Sequence, residues 1–165
     1  MARSSKQTIG AIVAFIVLTP IVIGLSPVLA LFGAWYLARR AWLIGRLRAV
    51  WPPNRFVLLA YTQSAVWAPF IEQSLLPQLG EAVIAIDRSK EDWKRSNPVE
   101  ARAVSFWGGL RAHNPIAIVI RNRWRVRVFR FYEAFQQFKH GRPQDLELVV
   151  SELLSHVKEV ARASA

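Results

Sequence analysis

Between Lys6 and Arg39 no residue is charged: "QTIGAIVAFIVLTPIVIGLSPVLALFGAWYLA". An apolar run of this length exceeds the ~18–20 residues that span a bilayer core. At ~1.5 Å per residue its roughly 32 residues would reach about 48 Å as one straight helix, against a hydrocarbon core of ~30 Å. The surplus must tilt, kink or leave the core. Pro20 and Pro27 are the natural kink points, because proline removes a backbone donor and clashes one turn back.

The run therefore predicts a transmembrane helix, roughly Ile9 to Ala30, continuing into an interfacial helix up to Val50. A re-entrant hairpin turning at "LSP" is the alternative, although only about a dozen apolar residues follow Pro27 before the next charge, too few to span. A cleaved signal peptide does not fit: the run is well over the ~7–15 residues of an h-region, and no small-x-small cleavage site follows. Trp35, Tyr36, Trp42 and Trp51 are the amphipathic aromatics expected at headgroup depth. Arg39, Arg40, Arg46 and Arg48 can reach lipid phosphates or a partner while their stems stay apolar. More basic residues follow the run than precede it, which predicts a single-pass membrane protein with its C-terminal domain in the cytoplasm.

Charge divides the chain in the same place. Lys and Arg number 22 against 11 Asp and Glu, a formal net charge of +11. Such a balance favours negatively charged partners. Residues 1–51 contain no acid, and every acid lies beyond residue 70. The expected organisation is a transmembrane anchor with an interfacial juxtamembrane helix over 1–51 and an α/β domain over 52–165. No cysteine is present, which excludes disulfides, thiolate nucleophiles, Cys-ligated zinc and iron–sulfur clusters. His113, His140 and His156 lack metal-ligand spacing, and no phosphate-binding glycine loop or hydrolase motif occurs, so neither metal nor cofactor is expected.

"WPP" at Trp51–Pro53 closes the juxtamembrane helix, since proline disfavours helix in the residue before it. Beyond it, "RFVLLAYT" (Arg55–Thr62) reads as a buried strand. "SAVWAPFIEQSLLPQLG" (Ser64–Gly80) places Trp67, Ile71, Leu75 and Leu79 on one helical face closed by glycine. "EAVIAID" (Glu81–Asp87) is a second buried strand. Asp87 ends it as a turn former, "SKED" opens a helix with a capping box, and "NPVEARAVSFWGG" restarts one from Asn97. "NPIAIVI" (Asn114–Ile120) and "RVRVFRFY" (Arg125–Tyr132) form an antiparallel hairpin. "GRPQDLELVVSELLSHVKEVARA" ends the chain as a helix with Leu146, Val149, Val150, Leu153, Val157 and Val160 on one face.

The order βαβαββα resembles the thioredoxin fold from Arg55 to the end. Pro115 directly precedes the third strand, where that family has a cis proline; "IAIVIRNRWRVRVFRFY" matches its hairpin, and "HGRP" leads into the last helix. The resemblance implies a thioredoxin-like βαβαββα sandwich, and the full expected fold class is α/β, an N-terminal transmembrane helix plus that sandwich. The family's redox chemistry needs Cys-x-x-Cys where the first strand meets the first helix, and this chain has "YTQSAVW" there, so that activity does not carry over. What remains is a vestigial site at Tyr61, Thr62 and Ser64 beside Pro115. A hydroxyl at this corner could stabilise a thiolate as in glutathione transferases, or Thr62 or Ser64 could simply cap the helix.

"IRNRWRVRVFRFY" interleaves Arg121, Arg123, Arg125, Arg127 and Arg130 with aromatics. Alternation sends Trp124, Val126, Val128 and Tyr132 to one face and Arg125, Arg127, Phe129 and Phe131 to the other. A three-residue turn would pair Ile116, Ile118 and Ile120 with Val128, Val126 and Trp124. These arginines either guard an edge strand by charge or dock on acidic protein or lipid; nucleic acid is the least favoured partner, for want of an RNA-binding signature.

With no catalytic constellation in view, the sequence predicts a membrane-anchored, redox-inactive thioredoxin-like interaction protein. Its expected partners are membrane lipids and other membrane-protein subunits, with the role of an accessory or assembly subunit of a respiratory or photosynthetic complex. The alternative is a thioredoxin-like enzyme using a hydroxyl in place of cysteine, with glutathione-transferase-like chemistry.

Overall fold

The computed structural model describes the backbone of residues 2–109, 114–122 and 124–164, and the side chains of 24–109, 114–122 and 124–163. A long first helix, α1 (Ala2–Val50), precedes β1 (Val57–Tyr61). The chain divides into two compact units between Arg40 and Ala41, so the end of α1 belongs to the same unit as the strands.

The expected transmembrane helix is corrected here. Among the described residues no helix is long and apolar enough to cross a membrane. The earlier part of the Ile9–Ala30 expectation falls on side chains outside the described residues. The fold class is α/β with a four-stranded mixed sheet.

From β1 the chain enters a broken helix: α2 (Ala68–Phe70), a π-helical turn (Ile71–Leu75) and α3 (Leu76–Leu79). Pro77 explains the break, because it cannot donate to the carbonyl one turn back and the preceding wide turn absorbs the loss. Gly80, at φ 57°, ends the helix as only glycine readily can. Next come β2 (Val83–Asp87), the short α4 (Trp93–Ser96), α5 (Pro98–Gly108), β3 (Ile116–Ile120), β4 (Val126–Arg130), α6 (Tyr132–Lys139) and α7 (Gln144–Ser164).

The strand order is β2-β1-β3-β4. β1 and β2 are parallel, while β3 is antiparallel to both β1 and β4. Every residue of β1 and β3 is buried, which is what continuous apolar strands covered on both faces require. One face carries Val57, Leu59, Val119 and Phe129 against Ile71, Leu75, Phe131, Phe135, Leu153 and Val160. The other carries Leu58, Ala60, Ile116 and Ile118 against Val104 of α5 and Leu43, Ile44, Leu47 and Trp51 at the end of α1.

β2 is not the buried strand expected, since only Ile86 of it is buried and Ala85 is exposed. Nor does "SKED" open a helix with a capping box: it forms turns ahead of α4, whose cap is Asp92 without a side-chain cap bond. Two further local expectations differ from the structure. β4 slides by two residues, so Ile118 faces Val128 and Ile120 faces Val126. Asn122 sets this register: its side-chain oxygen accepts from the backbone N–H of Trp124 (2.9 Å) and Arg125 (2.8 Å), an Asx turn. A slip of two keeps every residue on its face, but it leaves Trp124 in the turn and 60% exposed rather than in the core. The second difference is α6, which the sequence reading missed by extending the strand to Tyr132. Phe131 takes helical angles as its N-cap, and Phe131, Ala134 and Phe135 bury one stripe of a short amphipathic helix.

Leu47 is fully buried although it sits on the helix that was expected to lie in an interface. Leu47→Ala should cost about 3 kcal/mol of stability, as large as Leu153→Ala on the opposite face of the sheet. Leu148→Ala, at an exposed position, should cost less than about 0.5 kcal/mol. Urea denaturation of the three variants checks this, and a Leu47→Ala effect no larger than that of Leu148→Ala would contradict the assignment of the end of α1 to the core.

Candidate functional site

The corner singled out by sequence lies at the C-terminal end of β1. The Tyr61 hydroxyl donates to Glu72 Oε1 at 3.0 Å, and Gln63 Nε2 donates to the same oxygen at 2.8 Å. Burial first, then the hydrogen bond and charge of Glu72 with a further contribution from Asp87, pushes the Tyr61 phenol up to about 12. A phenol so held is a poor anion and a committed donor. Thr62 Oγ1 is 2.7 Å from the Asn114 side-chain amide. With its oxygen toward Thr62, that amide accepts from both the hydroxyl and the N–H of Thr62 and donates to the Ala60 carbonyl at 3.1 Å.

The Asn114–Pro115 peptide is cis, and Pro115 is buried beside these groups in sequence. Ser64 builds the turn into the helix: its carbonyl accepts from Ala68 N–H at 2.9 Å, and its hydroxyl lies 3.4 Å from Val66 N–H. The helix cap itself is Trp67, without a side-chain cap bond. Trp67 and Phe70 stand edge-on to Phe135 at 5.2 and 5.4 Å, so aromatic packing continues directly behind the turn. Asp87 is a turn former, accepting from Ser89 N–H at 2.9 Å, and Ser89 Oγ in turn accepts from Gln63 N–H at 2.7 Å. Three hydroxyls that could have been reactive are thus structural partners.

The arginine-rich hairpin splits into tied and untied members. Arg127 pairs with Glu152 at 2.9 Å and lies 4.9 Å over the Phe129 ring. Arg121 pairs with Glu159, which His156 also approaches at 3.3 Å. The Arg121 guanidinium beside Glu159 holds that carboxyl below the usual carboxylate range. The tie is complete at neutral pH and is lost as acid protonates Glu159. Both arginines fasten the hairpin to α7, and because these pairs are exposed, solvent screens them and each adds little to stability. Arg125 and Arg130 are exposed. Arg123 and His113 lie outside the described residues.

On α1, Trp35 and Tyr36 are exposed, as are Leu25, Val28, Leu29, Leu31, Phe32 and Leu37. Arg39 stacks over Trp35 at 5.3 Å, and Arg40 is partly exposed. Trp42 is half-exposed, with Arg46 at 5.9 Å and Arg102 at 5.8 Å over its ring. Trp51 behaves differently from the headgroup residue expected. It is 6% exposed, and its indole N–H donates to Glu100 Oε1 at 2.7 Å.

A cleft of about 340 Å³ opens at the other end of β1, where the chain leaves α1. Arg48, Arg55 and Arg121 line it together with Trp51 and Phe56, and no acidic residue does. Sequence reasoning credited Arg48 and Arg121 to separate surfaces and placed Arg55 only at the start of a strand. The missing signal is three-dimensional: Ile120 N–H donates to the Phe56 carbonyl at 2.8 Å, which brings the end of β3 to the start of β1. Glu72 and Asn114, which occupy the corner's hydroxyls, were missed for the same reason. Among the described residues no group of three or more His, Asp and Glu is placed to hold a metal ion.

Comparison with family models, with curated proteins and with solved structures finds no match for this chain.

Tyr61 yields a signed pH prediction. Its phenol is raised from 10.0 to about 12 on folding, so between those values the unfolded chain releases a proton that the folded chain keeps. This contribution is intact below pH ~10 and declines as pH rises toward ~12. Tyr61→Phe should remove a phenol titrating near 12 from the phenolate absorbance curve and flatten the alkaline loss of stability. An unchanged absorbance curve in the variant would refute the assignment.

Proposed function

We propose that this chain is a non-enzymatic, membrane-associated docking protein. Its α/β domain is a redox-inactive relative of the thioredoxin fold, and it serves as an accessory or assembly subunit of a larger membrane complex. The observation that carries the reading is the exposed band on α1. Leu25, Val28, Leu29, Leu31, Phe32, Trp35, Tyr36 and Leu37 are all exposed, far more contiguous apolar surface than a chain leaves to water without a partner. Arg39 at the end of that band adds the aromatic-plus-cation chemistry of a lipid headgroup region. The net charge of +11 favours the cytoplasmic, anionic side of a membrane.

The thioredoxin-like part of the proposal draws on the strand order β2-β1-β3-β4 with β3 antiparallel to the rest, a fold-level analogy that says nothing of activity. The absence of cysteine and the engagement of Tyr61 and Thr62 by Glu72 and Asn114 favour docking over hydroxyl-based catalysis. An enzyme's nucleophile or thiolate stabiliser needs a free, polarised group, and this corner offers its hydroxyls to the protein's own side chains.

Detergent extraction followed by native purification tests the proposal directly. The chain should co-migrate with larger membrane-protein subunits and bind anionic vesicles. Leu29→Asp combined with Phe32→Asp should cut vesicle partitioning by about tenfold or more, since each change removes an apolar anchor and adds a repelled charge. A chain that always migrates alone and ignores anionic vesicles would sink the reading.

A further inference from the structure

We infer that the cleft between the end of α1 and the start of β1 binds a phosphate monoester. Arg48, Arg55 and Arg121 would hold the phosphoryl oxygens, and the carbon substituent would lie against Trp51 and Phe56.

The cleft has the volume of a small-ligand site, about 340 Å³ against the ~300–1,000 Å³ usual for such sites. Its charge is one-signed, with three guanidiniums and no carboxylate in the lining. The three differ in how they are held. Arg48 Nη2 donates to the Arg121 backbone carbonyl at 3.0 Å. That bond fixes the plane of the guanidinium without neutralising it, because the acceptor is a dipole and not an anion. Arg121 is half-buried and ion-paired to Glu159 through one Nη, so its charge is largely compensated while further N–H groups stay available. Among the described residues no acid pairs with Arg55. Two uncompensated guanidiniums therefore face the cleft, and a phosphate monoester brings a charge of about −1.5 to −2 at neutral pH. Planar forks of this kind match phosphoryl oxygens pairwise.

The walls are equally prepared. Trp51 is buried and anchored from behind by Glu100 at 2.7 Å, so its ring cannot swing out to fill the cleft. Pro52 and Pro53 also line it, and their fixed backbone angles lower the ordering cost of binding. An ester with a small apolar body fits this lining better than inorganic phosphate, which would leave the aromatic wall in water. The source of the ester is either a free metabolite-sized phosphate or the headgroup of a lipid such as phosphatidic acid.

Calorimetric titration of the full chain in detergent with glycerol 3-phosphate, and in nanodiscs with or without phosphatidic acid, tests the site. Saturable binding of glycerol 3-phosphate is expected if free esters are bound; saturable binding only to phosphatidic acid nanodiscs identifies the lipid source. In either arm Arg48→Gln and Arg55→Gln should each weaken binding about tenfold or more, the usual worth of a charge-assisted bond. Arg55→Lys, which keeps the charge and loses the fork, should weaken it at least about threefold. Arg125→Gln and Arg130→Gln, exposed outside the cleft, should stay within about twofold of wild type on the usual scale of surface changes. Absence of saturable binding in both arms overturns the inference, as does an Arg125→Gln loss equal to that of Arg55→Gln, with unchanged urea midpoints showing that the variants remain folded. The site does not depend on the docking reading: a chain that purifies alone leaves it standing, and failure of both probes leaves the docking reading standing.

Discussion

β1 and β3 bury every side chain they carry, and that single condition forces the rest of the domain. A two-faced apolar pair exposes its edges and both surfaces unless helices cover each side. On one side α3, α6 and α7 supply the cover. On the other, α5 is not enough, and Leu43, Ile44 and Leu47 of the leading helix, with Trp51 just past its end, complete it. The helix that looks like an appendage in the sequence is thus an integral layer in its last turns. The Trp51–Glu100 bond locks the arrangement. Glu100 is 7% exposed, and a buried carboxyl left without a donor would cost about 1–3 kcal/mol or more. Its donor is the indole at the helix end, so withdrawing α1 would both open the core and strand a carboxyl.

The same logic separates the two ends of β1. At the C-terminal end, polar groups find one another: Tyr61 and Gln63 converge on Glu72, and Thr62 meets Asn114. Each bond stabilises the turn and uses up a group that chemistry would need free. At the N-terminal end, the cations outnumber the acids that could satisfy them, and only Arg121 finds one. A region of unmet positive charge over fixed aromatic walls is poised to bind, where a region of matched hydrogen bonds is poised to hold still. Chain-wide excess of base becomes local function only where the fold leaves cations unmatched.

Legibility in the sequence followed the physics of each signal. Continuous apolar runs such as "VLLAY" and "IAIVI" announce buried strands through burial alone, and Asn97–Pro98 marks the start of α5 through backbone restriction. The apolar face of α7 is legible from its period. The hairpin register was not, because Asn122 fixes it through side-chain bonds to Trp124 and Arg125, and alternation is indifferent to a slip of two. α6 hid because Phe-Arg-Phe-Tyr (Phe129–Tyr132) continues to look like strand past Arg130 while the backbone has already turned helical at Phe131. Hydropathy reports that residues avoid water, but not whether lipid or a protein core receives them; for Leu43, Ile44 and Leu47, which follow the uncharged run on the same helix, the receiver is the sheet.

The arginines of "IRNRWRVRVFRFY" show why a charge run cannot be read as one site. Arg127 faces α7 and is met by Glu152; Arg121, at the turn, is met by Glu159 and also turns its carbonyl to Arg48. Arg125 and Arg130 face water. Four neighbours in sequence therefore enter three environments, because a strand alternates sides and a hairpin turn points outward. Conversely, Arg48, Arg55 and Arg121 are far apart in sequence and meet in one cleft. Only pairing of β3 with the start of β1 brings them together, through the bond from Ile120 N–H to the Phe56 carbonyl. Two unmet cations, Arg48 and Arg55, meet at the end where α1 joins the sheet, and the fold, not the local density of arginine, decides where an anion would be held.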